Sequence, residues 1–114
     1  MPTSDTVLQI TRKGMGEADS ELQMKLMQTY FKLIIEAETL PAAICFYTEG
    51  VHLVIEGSPV LELLRILEAK GVRLIACTTC LDYYDINEDV AVGIKGGMTD
   101  IIEAQRRASK VITL

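Results

Sequence analysis

Two kinds of hydrophobic pattern alternate along the chain, and together they predict an α/β fold. Short extended runs predict five strands, at residues 7–11, 43–47, 72–76, 91–94 and 111–114. Apolar residues at helical spacing predict helices at about 20–38, 59–70 and 98–109, with a helical turn around 81–84. Strands that alternate with helices pair mostly in parallel, through right-handed crossovers. We therefore expect a three-layer, Rossmann-like (flavodoxin-like) sandwich around a mostly parallel sheet of about five strands.

Capping residues predict where two of these helices begin. Ser20 with Gln23 three residues later indicates a capping box at the start of the first helix. Ser58 followed by Pro59 indicates an N-cap and a first helical position for the second helix. Residues 51–54 look extended but are short, so their assignment stays open.

The segment after the third predicted strand carries two cysteines three residues apart, Cys77 and Cys80. In open α/β sheets, ligands gather where strands end and helices begin, so a thiol here is expected to face a crevice. We expect Thr79 to cap a turn that begins at Cys80, and a helix N-terminus lowers the pKa of a nearby thiol. Asp82 and Asp85 act on the pKa in the opposite direction. These two sulfurs are the chain's best candidates for catalytic chemistry.

A Cys-x-x-Cys pair in an α/β protein has several interpretations. It is typical of a redox dithiol, of half a zinc site, or of a sulfur-carrying nucleophile with a neighbour; alternatively, both thiols are buried and act as small hydrophobes. Structural zinc needs four ligands, whereas the one histidine is His52 and Cys45 lies within a predicted strand. We therefore expect no metal. Cys45 is predicted to be a core residue, and His52 is a candidate to pair with a thiolate.

Small residues at other predicted strand ends suggest a second kind of site. Gly14 and Gly16 follow the first strand, but the loop lacks the remaining residues of a dinucleotide or P-loop fingerprint. Such loops open helix N-termini, where a small anion or polar substrate can bind. The candidate substrate- or anion-binding residues are Gly14, Gly16, Thr78, Thr79, Gly97 and Met98. The alternative is that these are ordinary turns between strands and helices.

Composition and charge argue against some classes of function, such as nucleic-acid binding and membrane spanning. The 114 residues predict one domain, 1–114, and the net charge of −5 argues against nucleic acid, which needs a basic stripe. No uncharged apolar stretch is long enough to span a membrane, and residues 1–6 do not resemble a secretory leader. Three cysteines, an odd number, fit a reducing compartment better than a disulfide framework. We therefore expect a cytoplasmic protein without a cofactor.

Five stretches carry a resemblance to a known family, at residues 16–22, 40–44, 49–53, 77–84 and 93–101. The chain resembles the DsrE/DsrF-like superfamily of sulfur-handling proteins, and within it the C-terminal domain of the YedF-type proteins associated with selenium metabolism. The segment from Cys77 through Thr79 and Cys80 to Tyr84 is the specific part. The resemblance implies a Rossmann-like sandwich that assembles into oligomers, often trimers or hexamers.

The resemblance also implies a chemistry and a partner. In the DsrE-like members that move sulfur, a cysteine at the position of Cys77 carries a persulfide and exchanges it with a small TusA/SirA-type protein, while Cys80 is the extra thiol of the YedF-type branch. Two departures bear on the partner and on the pocket. An aromatic and acidic segment, 81–84, follows the cysteines where relay members have small and basic residues. Thr78 and Gly97 replace a glycine and an asparagine that are common in YedF-type domains.

Our leading hypothesis is a sulfurtransferase-like protein that carries sulfane sulfur as a persulfide on Cys77 and passes it to a partner, with Cys80 resolving the persulfide. The alternative is a non-catalytic, oligomeric binding or assembly module of sulfur or selenium metabolism with redox-sensitive cysteines. A third hypothesis is small-ligand binding at the loop of Gly14 and Gly16.

Overall fold

The computed structural model describes residues 5–114, in which five strands form one parallel sheet. The strands are β1 (Thr6–Ile10), β2 (Ala43–Phe46), β3 (Arg73–Cys77), β4 (Ile94–Gly96) and β5 (Lys110–Thr113), and their order is β4-β3-β2-β1-β5. Every neighbouring pair is parallel. The predicted α/β sandwich is therefore confirmed. Residues 1–4 lie outside the described part, so the prediction that the chain starts without a leader is not tested.

Helices cover both faces of the sheet. They are α1 (Ser20–Ala37), α2 (Leu61–Ala69), α3 (Thr78–Tyr83) and α4 (Met98–Arg107), with 3-10 helices at Thr48–Val54 and Asn87–Asp89. α1 and α2 contact each other on one face. α4 lies on the other face, where the side chain of Gln105 donates a hydrogen bond to Gln9 of β1. No helix among residues 5–114 is long and apolar enough to cross a bilayer.

The core lies between the central strands and the helices on each side. β2 is buried at all four positions because it has a strand on each side and a helical layer over each face. On the α1 side its core partners include Met27 and Phe31 of α1 and Leu64 and Leu67 of α2. The burial of alternate side chains toward both layers explains why this strand is apolar throughout.

The fourth strand begins later than predicted. Residues 91–93 precede β4, because the backbone where they begin is hydrogen-bonded to the end of the first 3-10 helix and not to the sheet. Val90 pairs antiparallel with Ile55, and the Ala91 N–H donates to the Val54 carbonyl at 2.8 Å. Gly93 then turns the chain with a φ of 83°. The prediction of a strand at 91–94 is therefore wrong except for its last residue.

The predicted starts of α1 and α2 also need correction. α1 begins at Ser20 with Asp19 as N-cap, and no side chain caps it, so the capping box is wrong. Gln23 instead donates its side-chain amide to the Gly16 carbonyl at 2.7 Å. α2 begins at Leu61, not at Pro59; the Ser58 hydroxyl accepts the Val60 N–H at 3.3 Å in the preceding turn. Residues 51–54, left open in the sequence, are 3-10 helical.

Candidate functional site

The carboxyl ends of β3 and β4 lie side by side at a point where the chain leaves the two strands in different directions. Cys77, the last residue of β3, is in register with Gly96, the last residue of β4. After β3 the chain enters α3, whereas after β4 it crosses the opposite face through α4 to reach β5. Such a switch in topology opens a crevice at the strand ends, where ligands bind in α/β proteins. The cysteine pair therefore lies at the predicted edge of the sheet, but Cys77 is buried, so the expectation that its thiol faces an open crevice is wrong.

The two cysteines differ in exposure. Cys77 is the N-cap residue of α3 and is only 1% exposed. Cys80, in the first turn of the helix, is partly exposed. Because α3 begins at Thr78, the prediction that Thr79 caps a turn starting at Cys80 is wrong, and no side chain caps the helix. An incoming molecule therefore reaches Cys80 before it reaches Cys77.

A backbone amide is directed at the sulfur of Cys80. The Thr48 N–H donates to Cys80 Sγ at 3.1 Å. Burial, followed by the interaction with the neighbouring Cys77 side chain, raises the pKa of the Cys80 thiol, and the Thr48 amide acts in the opposite direction. Since a hydrogen-bond donor favours the charged form of an acceptor, this amide stabilises negative charge on the sulfur.

Thr48 was not among the candidate site residues of the sequence. Its hydroxyl donates to the Thr11 carbonyl at 2.8 Å, and so joins the ends of β1 and β2. Gly50 fixes the approach further, because a Cβ there would lie 2.0 Å from the Ile10 carbonyl oxygen. The sequence did contain a signal for Thr48. It follows β2, and β2 neighbours β3, so both strands end at the same edge of the sheet.

Aromatic side chains continue the site along α3. The His52 and Tyr84 rings lie 4.6 Å apart between centroids, and the Tyr83 and Tyr84 rings pack edge to face at 5.2 Å. His52 Nδ1 lies 3.0 Å from the Glu49 carbonyl oxygen, to which it donates. His52 thus lies at the same edge as the thiols, in contact with a tyrosine.

Cys45 is chemically separate from the pair. It lies in the middle of β2 and is 0% exposed. Burial raises the pKa of its thiol to about 11, although the positive charge of Arg73 lowers it. The prediction that Cys45 is a core residue is confirmed.

The candidate anion-binding residues fall into two groups. Thr78 lies just past the end of β3, where its hydroxyl donates to the Gly96 carbonyl at 3.1 Å, and Gly97 and Met98 follow that glycine at the start of α4. Gly97 already donates its N–H to Asp100 Oδ2 at 2.9 Å. Thr79 is exposed on α3.

The loop of Gly14 and Gly16 is folded back onto α1. The Met15 N–H donates to the Gln23 carbonyl at 3.0 Å, and a Cβ on Gly14 would lie 2.6 Å from Gln23. Close packing against α1 therefore accounts for Gly14. Gly16 has a φ of 76°, which glycine adopts without strain. Neither glycine is hydrogen-bonded to a thiol in the described part of the chain. In the part of the chain that the structure describes, no three His, Cys, Asp or Glu side chains converge on a metal-binding arrangement.

Comparisons with known proteins agree with this architecture. A model of the DsrE/DsrF-like family matches residues 7–114. The crystal structure of the ychN protein from E. coli superposes with a TM-score of 0.71 at 18% identity, covering 96% of this chain and 98% of that one. MTH1491 from Methanobacterium thermoautotrophicum, described as a protein of unknown function, superposes with a TM-score of 0.70 at 19% identity, covering 96% and 97%. A search of the curated proteins gave no match.

Proposed function

The chain belongs to the DsrE/DsrF-like family, which is associated with sulfur relay, and we propose that it carries sulfane sulfur as a persulfide at the Cys77–Cys80 pair and passes it to a partner. The observation that carries the proposal is the setting of Cys80: a partly exposed sulfur that accepts a backbone N–H, with a second thiol beside it. A reducing compartment such as the cytoplasm would keep both thiols available.

Sulfur enters at Cys80, because Cys77 is shielded. The Cys80 thiolate attacks the outer sulfur of a donor persulfide, R–S–SH; a new S–S bond forms on Cys80, and the donor leaves as the thiolate RS⁻. The Thr48 amide, 3.1 Å from Sγ, stabilises the attacking sulfur while it is charged.

In this proposal Cys77 receives the sulfur from Cys80. Its thiolate attacks the outer sulfur of the Cys80 persulfide, so the sulfur moves to Cys77 and Cys80 leaves as a thiolate. A persulfide on the 1% exposed Cys77 is protected from solvent thiols and oxidants. Transfer back through Cys80 to an acceptor thiol completes the relay. The sequence-based hypothesis made Cys77 the thiol that takes up the sulfur and Cys80 the resolving thiol. In the present proposal Cys80 takes up the sulfur first, and Cys77 carries it.

Intact mass after loading tests the proposal. The reduced wild type and the variants Cys45→Ser, Cys77→Ser and Cys80→Ser are incubated with an uncharged alkyl persulfide, which is then removed. We expect wild type and Cys45→Ser to gain one sulfur, Cys80→Ser to gain none, and Cys77→Ser to gain a sulfur that an added thiol strips faster than from wild type. Equal loading of Cys80→Ser and wild type would overturn the proposal.

A second candidate function, an oligomeric assembly module, is favoured by the face that α4 covers. α4 is the one described helix on that face, and exposed apolar residues flank it or lie on it: Ile94 and Val111 on the two edge strands, Met98 and Ile102 on the helix. We propose that copies of the chain associate through this face. Ile102→Lys should then lower the molar mass measured by light scattering, whereas Leu33→Lys, at a leucine of α1 that is more exposed than Ile102, should leave it unchanged. An unaltered mass for Ile102→Lys would contradict this assembly.

The acceptor in the relay is also a proposal. By resemblance to the sulfur-relay members, a TusA/SirA-like carrier domain is the expected class of partner. Mixing the loaded protein with such a domain and following the added sulfur by mass tests this, and retention of all sulfur on the loaded protein argues against that class.

A further inference from the structure

The outer surface of α3 next to Cys80 is aromatic and is not covered by other residues between 5 and 114. Tyr83 is 82% exposed, more than any other large hydrophobic side chain of the described residues. Its ring packs against Tyr84, and Tyr84 packs against His52. We call Glu49, His52, Asp82, Tyr83 and Tyr84 the α3 surface. Exposed tyrosines that cluster around a reactive group are typical of binding contacts.

Carboxylates surround these rings. Between Arg73 and Lys95 the sequence has no Lys or Arg, but it has four acidic residues, namely Asp82, Asp85, Glu88 and Asp89. The ion pairs formed within residues 5–114 are Arg65–Glu62 and Arg107–Glu103, and neither lies here. Asp82 instead accepts a hydrogen bond from Asn87 at 2.7 Å. The negative charge of this region is therefore available to a partner.

Glu49 brings a further negative charge to the rings from the 3-10 helix. It follows Thr48, whose N–H donates to Cys80 Sγ. Burial and then the charge of Glu49 raise the pKa of the Tyr84 hydroxyl, so the carboxylate, the ring and the thiol are electrostatic neighbours. Arg12 and Lys13 follow Thr11, whose carbonyl accepts the Thr48 hydroxyl, and Lys13 lines a pocket together with His52. The carboxylates therefore lie along α3 and at Glu49, and a lysine borders this surface only at its His52 end.

We propose that the α3 surface binds a cationic segment of the partner, in which Lys or Arg residues flank the cysteine that exchanges sulfur with Cys80. The proposal rests on the proposed function, whose site it extends. Tyrosine faces attract Lys and Arg side chains, and carboxylates around them add Coulombic attraction and steer the encounter. The same charges repel anionic small molecules, so the preferred partner is a basic polypeptide.

Three short peptides test this preference: Gly-Lys-Cys-Lys-Gly, Gly-Gln-Cys-Gln-Gly and Gly-Glu-Cys-Glu-Gly, each with its cysteine held as a mixed disulfide with thionitrobenzoate. The Cys80 thiolate attacks the peptide sulfur, a Cys80–peptide disulfide forms, and thionitrobenzoate leaves as a coloured thiolate. The protein is Cys77→Ser, so that no second thiol cleaves the product. Rates are divided by those of a small uncharged thiol with the same peptides.

We expect the lysine peptide to react roughly fivefold faster than the glutamate peptide at low salt, and the ratio to fall as salt screens the charges. Asp82→Asn/Asp85→Asn and Tyr83→Ala should each lower the ratio. The matched control Glu36→Gln/Glu38→Gln removes two charges at the far end of α1 and should leave it unchanged.

A ratio at or below one overturns the proposal, as does a ratio that salt does not change or that the control lowers equally. Persulfide loading from the uncharged donor does not depend on these charges. Normal loading with a ratio of one therefore defeats the cationic partner alone, whereas failed loading defeats the proposed function.

Discussion

Cys45 and Cys80 are thiols at neighbouring strands of one sheet, and their surroundings are opposite. Cys45 lies within β2 under helices on both faces, and burial raises the pKa of its thiol to about 11. Cys80 lies just past the end of β3, partly exposed, with the Thr48 N–H at 3.1 Å. The comparison teaches that a cysteine within a strand or at its last residue is enclosed by the core, as Cys45 and Cys77 are, whereas Cys80, three residues past the strand, is partly exposed beside a backbone donor.

The largest expected difference is in alkylation rate. With iodoacetamide at mildly alkaline pH, Cys80 should react at least about a thousandfold faster than Cys45, because Cys45 is reached only when the protein unfolds. Tryptic peptides separate the two, since Cys45 lies in residues 33–65 and Cys80 in residues 74–95. Denatured protein, in which both should react alike, is the control. Comparable alkylation rates of Cys45 and Cys80 in the native protein would contradict the difference in exposure.

Gly50 helps to position the Thr48 amide, which donates to the sulfur of Cys80. Gly50→Ala should lower the free energy of unfolding by about 3 kcal/mol, because its Cβ would lie 2.0 Å from the Ile10 carbonyl oxygen. Gly97→Ala is the control: the nearest atom to its Cβ is Thr99 Oγ1 at 3.8 Å, so it should cost less than about 0.5 kcal/mol. Urea denaturation measures both. Similar losses of unfolding free energy in the two variants would show that the close approach of the 3-10 helix to β1 does not contribute to stability.

Serine substitution should separate the two cysteines by stability. Cys45→Ser places a hydroxyl in an apolar layer and should cost about 2 kcal/mol, whereas Cys80→Ser should cost about 0.5 kcal/mol or less. Urea denaturation under reducing conditions gives both values. A larger loss for Cys80→Ser would mean that its sulfur is chiefly a packing group.

The smallest expected effect is the dependence of Cys80 alkylation on pH. The thiolate is the nucleophile, and the pKa of Cys80 is raised above its ordinary value of 9.0, so at a given pH less thiolate is present than for a free cysteine. The rate should therefore rise about tenfold per pH unit with no plateau below pH ~9. A plateau nearer neutral pH would show that the Thr48 amide outweighs burial and Cys77.

The sheet could be predicted from local sequence pattern, because each buried parallel strand needs an apolar run. The place of the cysteine pair could be predicted as well, because the carboxyl ends of parallel strands lie at one edge of the sheet. The setting of Cys80 depends on chain segments distant in sequence. Thr48 reaches the sulfur because β2 is in register with β3 and because Gly50 lets the chain approach β1. The shielding of Cys77 and the packing of the His52 ring against Tyr84 also depend on segments distant in sequence. The helix starts were mispredicted where a side chain found another partner, as Gln23 did with Gly16.

The position of the added sulfur tests the central claim most directly. After loading with the uncharged persulfide and blocking of free thiols, the wild type is digested and the mass of one extra sulfur is located. The account predicts it in the peptide of residues 74–95, on Cys77 or Cys80, with the peptide of residues 33–65 unchanged. Sulfur on Cys45, or no sulfur on the peptide of residues 74–95, would contradict the account.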